Sequence, residues 1–421
     1  MKLKWKLNLM YLCIVTFNFY LVRELFTKVI YSFKREKDTH DFAQVERPTI
    51  LFVTKVWSKN PGSWPRNKED IKCDVRYADS DISKLNNISG VSAFIYHVHD
   101  LTPQLVHQTN KMNHHARRFI VNFEGPLMLL PLAKVNRTNL LYHSSITYDS
   151  TADYVIPYFT VIPYADYTKW DGSLESPCSS EFHWSMLPKI LIDQRKNQQK
   201  SKIHKAVDKI SNKHKMAAWF VSHCQTKAKR EDFVHELQKY IHVDIFGDCG
   251  TKICSKLTSG CFETVKKYKF YLSFENNICA EYVTEKLYNA LMASTVPVVF
   301  GSADYEKVAP PYSYINSLEY KSPEDLAKYL LFLSENHQEY RKYFEWKKHY
   351  FVVPVPYFEL VASRVCNILT KCDTTRNSVK SLRANIKQRI SHGQCRQWNK
   401  DIGKTEKIKF TNQTVRFHLP I

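Results

Sequence analysis

The sequence predicts an α/β fold with parallel sheets, because two stretches alternate strand, helix and strand as β–α–β units do. In one, residues 270–274 and 296–300 are short apolar, β-forming runs, and the apolar residues between 283 and 291 recur at helical spacing. The other lies at residues 218–247. Strands joined through a helix lie parallel in one sheet. With 421 residues, 44% of them hydrophobic, the chain is long enough for two domains and is not disordered.

Further segments with strand character fill the first half of the chain. The predicted strands are 48–53, 93–97, 118–123 and 159–163, with 140–157 completing this half, and the second half opens with strand 218–222, helix 229–240 and strand 243–247. The strand at 118–123 is followed by Glu124, Gly125 and Pro126. A turn at the end of a buried strand is suited to presenting a side chain to a ligand.

Polar residues gather between the strand at 270–274 and the helix that follows it. They are Glu275, Asn276, Tyr282, Thr284, Glu285 and Lys286. The amino end of a helix and the carboxyl end of a parallel strand together favour an anionic ligand such as a phosphate. From spacing alone, an ordinary solvated helix start with Thr284 as its cap is equally compatible.

The amino-terminal residues have the pattern of a signal anchor. An apolar run at 7–22 follows three lysines, and no small-residue cleavage site comes after it. The positive flank predicts a cytosolic tail at 1–6, a membrane-spanning helix at 7–22 and a stem at 23–47. The remainder of the chain is then expected in a lumen.

Two further features agree with a lumenal location. Glycosylation sequons occur at Asn87, Asn136 and Asn412. Every cysteine except Cys13 lies beyond the predicted anchor, and disulfide bonds among them suit an oxidising compartment. Spacing does not reveal which cysteines pair.

Basic residues give the chain a formal net charge of +20, and many of them lie between residues 189 and 215. The charge first suggests nucleic-acid binding, but a lumenal protein meets no nucleic acid. Because the segment has few large apolar residues, we interpret 189–214 as a solvated, flexible linker between two halves. The remaining basic field can steer an anionic ligand.

The chain resembles the α1,3-fucosyltransferases, which use GDP-fucose. The resemblance is carried by FYLSFENN (270–277), EYVTEKLYNAL (281–291) and VPVVFGSADYEKVAPPYSYIN (296–316), and continues through AAWFVSHC (217–224) and HVDIFGDCG (242–250). It implies two Rossmann-like domains facing a cleft, the GT-B arrangement. The implied divisions are an acceptor-side domain at 48–188, a GDP-fucose-binding domain at 215–350 and a carboxyl-terminal helix with a basic extension at 351–421.

The resemblance also implies roles for particular residues. Glu124 matches the acidic residue expected to deprotonate the acceptor hydroxyl. Arg230 and Lys286 match cations that would bind the diphosphate, with Arg gripping oxygens bidentately and Lys acting as a point charge. The remaining donor-site residues are Asn276 and Glu285, for ribose or sugar hydroxyls, and Tyr282, which would pack on the nucleotide.

No metal or other cofactor is expected, since the positive side chains would replace a divalent ion and a metal would at most stimulate. Cys249, Cys254 and Cys261 lack the Cys-x-x-Cys spacing of zinc sites. Asp79 and Asp81 have the acidic spacing of metal-dependent transferases but follow no clear strand. We interpret them as a loop.

The implied function is transfer of L-fucose, with inversion, to a GlcNAc of N-glycans by a single-pass Golgi membrane protein. Where the family has Ser before Pro, this chain has Gly125, and the family's basic pair is missing from residues 148–153, although Tyr148 and Asp153 are present. The acceptor therefore stays open between core and antennary GlcNAc, with some similarity to invertebrate core-modifying members. A membrane-anchored, non-catalytic GDP-fucose-binding or lectin-like protein is the alternative.

Overall fold

A computed structural model describes residues 47–54, 72–78, 90–111, 115–129, 140–173, 176, 178–209, 213–251, 259–372 and 378–408. Several predictions from the sequence lie outside these residues: the tail, anchor and stem at 1–46, the sequons at Asn87, Asn136 and Asn412, and the Asp79 and Asp81 pair. Among the described residues, no helix combines the length and apolar character needed to cross a membrane.

The elements are numbered in chain order. Up to residue 209 they are β1 (Thr49–Phe52), β2 (Asp74–Tyr77), β3 (Val91–His97), α1 (Pro103–Asn110), β4 (Arg117–Asn122), β5 (Leu141–Tyr142), β6 (Ser144–Thr147), β7 (Tyr154–Val155), β8 (Phe159–Pro163), α2 (Tyr164–Lys169) and α3 (Lys189–Lys209). Beyond it follow β9 (Lys215–Phe220), α4 (Arg230–Leu237), β10 (Val243–Phe246), α5 (Ser259–Val265), β11 (Tyr268–Phe274), α6 (Glu285–Met292), β12 (Val296–Phe300), α7 (Tyr305–Val308), β13 (Ile315–Asn316), α8 (Pro323–Glu335), α9 (His337–Lys342), β14 (Tyr350–Pro354), α10 (Tyr357–Lys371), β15 (Lys380–Ser381), α11 (Leu382–Gly393), β16 (Arg396–Asn399) and β17 (Lys404–Lys407).

Two parallel sheets form the framework of the described chain. The first has six strands in the order β2-β1-β3-β4-β6-β7, and the second has five in the order β10-β9-β11-β12-β13. Neighbouring strands pair parallel throughout both sheets. The β11–α6–β12 and β9–α4–β10 units confirm the predicted β–α–β pattern. The central strands read as near-continuous apolar runs because helices cover both faces of a parallel sheet.

Helix α3 corrects the prediction of a flexible linker at 189–214. Ile192 is fully buried, and Gln199 is hydrogen bonded to the backbone of Val352 twice, donating at 2.7 Å and accepting at 3.1 Å. These contacts attach the helix to β14. Lys and Gln are common both in solvated segments and in helices, so composition alone did not separate the two.

Strand β8 also differs from its prediction as a member of the first half. It pairs antiparallel with β14, so that Val161 faces Val352 across the pair. The segment predicted at 140–157 is divided among β5, β6 and β7, and β5 pairs with β15. Two strands from the carboxyl-terminal part of the chain, β14 and β15, thus pair with strands of the first half. Local sequence patterns did not indicate this pairing.

The largest hydrophobic cluster includes residues from both halves of the chain. Phe123 and Tyr158 lie in the first half of the chain. Val283 lies in the loop before α6, Leu287 in α6 itself and Val361 in α10. Their burial joins the carboxyl-end loops of the two sheets. The removal of this apolar surface from water favours a fixed relation between those loops.

Four disulfides are defined among the described cysteines: Cys73–Cys366, Cys178–Cys372, Cys224–Cys249 and Cys279–Cys395. Cys261 is disulfide-bonded as well. The prediction of disulfides is confirmed, and Cys249 and Cys261 are not thiolate ligands for zinc. No cluster of metal-binding side chains is present in the part of the chain that the structure describes.

We expect the Cys73→Ala/Cys366→Ala variant to unfold at a lower temperature than wild type. This disulfide spans 293 residues, whereas Cys224–Cys249 spans 25. The chain-entropy model gives a loss of about 6 kcal/mol for the loop closed by Cys73–Cys366 and about 3.5 kcal/mol for the loop closed by Cys224–Cys249. Thermal unfolding of both double variants in non-reducing buffer tests this ordering, and a larger loss for Cys224→Ala/Cys249→Ala would contradict it.

Candidate active site

The candidate site lies where β11 ends and α6 begins. Strand β11 stops at Phe274, the chain runs through a loop at 275–284, and the helix starts at Glu285. On the neighbouring strand β9, the chain continues to α4, whose first residue is Arg230. The site therefore stands at the carboxyl edge of the second sheet, where open α/β sheets bind their ligands.

A buried carboxylate organises this loop. Glu275 is 1% exposed and accepts hydrogen bonds from the Thr284 backbone N–H at 2.8 Å, from the Thr284 hydroxyl at 2.9 Å and from Lys286 Nζ at 2.9 Å. Burial raises the pKa of Glu275, and the Lys286 ammonium opposes that rise. Thr284 occupies the N-cap position, but its side chain does not cap the helix. The interpretation of this segment as an ordinary capped helix start is therefore wrong.

Lys286 is held as a cation by its neighbours. Its side chain is 18% exposed, and Nζ also donates to Thr284 Oγ1 at 2.7 Å and approaches Glu285 Oε1 at 3.4 Å. Burial acts to lower the pKa of Lys286, but the Glu275 and Glu285 carboxylates outweigh it and raise the pKa. The ammonium thus stays charged at neutral pH.

Glu285 is the more open of the two carboxylates, with a side chain that is 54% exposed. Partial burial acts to raise the pKa of Glu285, yet the Lys286 charge and local hydrogen bonds lower it overall. It is therefore an ionised acceptor at the edge of the site. Its bond to Lys286 is the longest of the three made by Nζ, so it is the one most easily exchanged for a ligand.

Arg230 is buried beside the same loop. Its guanidinium donates to the carbonyl oxygen of Phe274 at 2.6 Å and to that of His223 at 3.1 Å, and lies 5.6 Å from the Trp219 ring. Burial lowers the pKa of Arg230, while Glu275 opposes the shift, and a guanidinium keeps its charge. Its Nε has no hydrogen-bond partner among the described residues.

Asn276 and its neighbour bring the loop against the turn that carries Glu124. Asn276 accepts a hydrogen bond from Asn277 Nδ2 at 2.9 Å. A Cβ atom on Gly125 would stand 2.7 Å from Asn277 Cγ, a distance that real Cβ contacts do not reach. Glycine at 125 therefore permits this close approach of the two halves. This is a physical reason for glycine at the position where the family has serine.

Glu124 lies in the bend after β4, as predicted. Asn122 braces that bend, because its Nδ2 donates to the Glu124 carbonyl at 2.9 Å and its Oδ1 accepts from the Glu124 N–H at 3.2 Å. Burial raises the pKa of Tyr282, and the charge of Glu124 raises it further. The electrostatic influence of Glu124 thus extends to the loop of the second sheet.

Tyr282 is buried between the two loops, and its ring centroid is 5.2 Å from that of Tyr148. Tyr148 in turn stands 6.2 Å from Tyr158, which donates a hydrogen bond to the Phe123 carbonyl. An aromatic cluster therefore connects the strand before Glu124 to the helix start at Lys286. Tyr282 packs on protein rings in this structure.

The structure brings the predicted site residues into one region. The charges of Glu275 and Glu285 act on Arg230, and the charges of Glu124, Glu275 and Glu285 act on Tyr282. Asn276 adjoins them through Asn277. The roles that the resemblance implied for these residues stay predictions.

Sequence reasoning missed the contribution of α11. Arg389 forms a buried ion pair with Asp149, and His392 Nε2 lies 3.0 Å from Glu281 Oε1. Glu281 also accepts from the Ser150 N–H at 2.6 Å. The signal that could have indicated this contact is the cysteine at 395, since its disulfide to Cys279 anchors the end of α11 beside the loop.

Comparisons with known proteins identify the segment that contains this loop. Residues 210–388 match the family model described as "Glycosyltransferase family 10 (fucosyltransferase) C-term". "Alpha-(1,3)-fucosyltransferase C" of Drosophila melanogaster is 47% identical over 141 residues, which are 33% of this chain and 33% of that protein. "Alpha-(1,3)-fucosyltransferase fut-1" of Caenorhabditis elegans is 44% identical over 146 residues, 34% of each chain. The match thus spans about a third of the length of these relatives.

A crystal structure described as α1,3-fucosyltransferase with GDP-fucose aligns with 81% of this chain and 96% of its own, at 16% identity and a TM-score of 0.46. Residues 210–388, which hold Arg230, the loop at 275–284 and Lys286, are therefore similar to the carboxyl-terminal part of glycosyltransferase family 10. The predicted resemblance to the α1,3-fucosyltransferases is confirmed for this part of the chain.

Proposed function

We propose that this protein is an α1,3-fucosyltransferase that transfers L-fucose from GDP-fucose to a GlcNAc residue of N-glycans with inversion. One observation carries the proposal: two cations stand at the junction of β11 and α6, inside the segment that matches the glycosyltransferase family 10 model. Lys286 lies in the first turn of α6, and Arg230 donates to the carbonyl of Phe274, the last residue of β11. Cations at a helix amino terminus suit a diphosphate leaving group. The relatives' own names, which refer to those proteins, agree with this chemistry.

On the donor side, Lys286 and Arg230 bind the diphosphate and stabilise the charge that develops as the bond from fucose C1 to the phosphate oxygen breaks. Glu275 orients Lys286 through a 2.9 Å hydrogen bond. Phosphate oxygens replace Glu285 at Nζ, which frees that carboxylate for a ribose or fucose hydroxyl, and Asn276 serves another hydroxyl. Tyr282 packs on the nucleotide.

On the acceptor side, Glu124 is the general base. It removes the proton from the GlcNAc hydroxyl as that oxygen attacks fucose C1 from the face opposite GDP. A bond forms between fucose C1 and the acceptor oxygen, while the bond between C1 and the phosphate oxygen breaks. Its electron pair departs with GDP, and the acceptor's proton passes to Glu124. Attack from the opposite face inverts the configuration at C1.

The finer architecture belongs to the same proposal. Two Rossmann-like domains, at 48–188 and 215–350, would face a cleft in the GT-B arrangement, and the two parallel sheets support this. The chain would sit in the Golgi membrane through the anchor at 7–22, with its catalytic part in the lumen and its sequons glycosylated. The disulfides support an oxidising compartment. The acceptor GlcNAc is either core or antennary.

The test is transfer of labelled fucose from GDP-fucose by the full-length chain to core N-glycan and N-acetyllactosamine acceptors, with the linkage determined by NMR. An α1,3 product on either acceptor class supports the proposal. GDP-fucose binding without transfer to any acceptor would instead identify the non-catalytic alternative.

The Glu124→Gln variant should lose about 100-fold or more of kcat, because removal of a general base typically costs 10²–10⁴-fold. The affinity for GDP, measured by calorimetry, should not change. Glu339→Gln makes the same chemical change at an exposed site paired with Lys342 and serves as the matched control. Full activity in Glu124→Gln would rule out this base.

Neutralising Lys286 should weaken GDP binding by about 10- to 100-fold, the range expected for one charged hydrogen bond. The variant is Glu275→Gln/Lys286→Met, so that no unpaired carboxylate is left buried. Glu339→Gln/Lys342→Met neutralises an exposed pair and is the control. Unchanged GDP affinity in the first variant would show that Lys286 does not bind the diphosphate.

Transfer should persist in excess EDTA, because side-chain cations take the place of a divalent ion in this proposal. The initial rate with and without chelator is the measurement. A rate abolished by EDTA and restored by Mn²⁺ would overturn the assignment of that role to Arg230 and Lys286.

A further inference from the structure

The carboxyl-terminal helix α11 reaches the loop that follows β6. Arg389 Nε donates to Asp149 Oδ2 at 2.9 Å, and a second guanidinium nitrogen donates to the same oxygen. The two side chains are 1% and 5% exposed. Residue 389 lies just past the residues that match the family model, so this contact comes from outside the matched segment.

The same guanidinium fixes the ring of Tyr148. The Arg389 Cζ atom lies 5.3 Å from the Tyr148 ring centroid, within cation–π range. The Tyr148 ring also packs against two other rings, with its centroid 5.2 Å from that of Tyr282 and 6.2 Å from that of Tyr158. Tyr148 is therefore held between the carboxyl-terminal helix and the loop of the candidate site.

The Tyr148 hydroxyl is buried and has no hydrogen-bond partner among the described residues, and the same is true of Asn277 Oδ1. Burying a hydroxyl or amide oxygen without a hydrogen-bond partner is unfavourable, so a ligand atom that supplies the partner is favoured there. Both residues border the turn of the predicted base. Asn277 packs against Gly125, and the charge of Glu124 acts on Tyr148.

Helix α11 is attached to the donor-side loop as well. The Ala280 N–H donates to the Gly393 carbonyl at 2.8 Å, and the Cys279–Cys395 disulfide follows the end of the helix. The helix thus contacts the loop at 275–284 and the Tyr148 loop at once. It also brings a guanidinium to the segment at 148–153, which lacks the basic pair of the family's pattern.

We propose that the Tyr148 hydroxyl binds a hydroxyl or acetamido oxygen of the acceptor sugar next to Glu124, and that Arg389 is the positioning residue that holds Tyr148 there. This inference rests on the proposed function, since it names a specificity contact for the same site. Selection of the acceptor then depends on a residue of α11 that lies beyond the segment matching the family model. Hydrogen bonding to a sugar would satisfy the buried Tyr148 hydroxyl.

The first test is Tyr148→Phe, which removes only the hydroxyl and keeps the ring packing. We expect the KM for the GlcNAc acceptor to rise about 10-fold, as for loss of one substrate hydrogen bond, with the KM for GDP-fucose unchanged. The matched control is Tyr164→Phe, since the Tyr164 hydroxyl is also buried without a partner but packs beside Phe351. An unchanged acceptor KM in Tyr148→Phe overturns the proposal.

The second test concerns positioning by Arg389. The variant Asp149→Asn/Arg389→Met removes both charges, because removing Arg389 alone would leave a buried carboxylate unpaired. We expect acceptor KM to rise while the KM for GDP-fucose and the melting temperature change little. Lys380→Met breaks the Lys380–Asp153 ion pair of the same segment and is the control. Equal effects on the two substrates would indicate a structural role only.

Failure of the proposed function can be told apart from failure of this inference. If wild type transfers no fucose, saturation-transfer NMR of a GlcNAc-terminated N-glycan core with the GDP-bound protein decides the inference by binding alone. Sugar binding by wild type and Tyr164→Phe but not by Tyr148→Phe supports it. Equal binding by all three proteins, or no binding by wild type, overturns it.

Discussion

The hydrogen-bonded pair of Glu275 and Lys286 is the interaction on which the rest of the site depends. Burying a carboxylate is energetically costly unless it is paired with a cation and hydrogen bonded. Here Lys286 supplies the cation, and Thr284 donates hydrogen bonds. Because Thr284 gives both its N–H and its hydroxyl to Glu275, the carboxylate ties the end of β11 to the start of α6. The same contacts keep Lys286 charged and aim it at the helix amino end, where an anion is favoured.

A second constraint is the return of the carboxyl-terminal chain to the first sheet. The Cys73–Cys366 disulfide attaches α10 to the residue before β2, in the first half of the chain. The Cys279–Cys395 disulfide attaches the end of α11 to the loop at 275–284, in the second half. The buried ion pair of Arg389 with Asp149 adds a polar contact that has one good geometry. Loops that would otherwise be independent are thereby held in contact at the turn of Glu124.

Much of the second sheet could be predicted from the sequence, whereas the first half could be predicted only in part. Strand β12 was predicted with its observed bounds because a buried parallel strand is a short apolar run with sharp ends. Strand β9 was displaced by a few residues, since charged residues such as Lys215 can begin a strand. Helix α3 was not predicted, because its stability comes from packing against β14 rather than from its own apolar pattern.

The sequence by itself determined the fold class and the polar residues of the junction between β11 and α6, because both are encoded within short contiguous segments. Strand, turn and helix follow one another between residues 268 and 301, so their polar junction is local and visible in the chain. Only the tertiary structure decided the cysteine pairs, the partner of Asp149 and the contact of Gly125 with Asn277. Those contacts join residues far apart in the chain, and local periodicity carries no information about which distant segment completes a buried site.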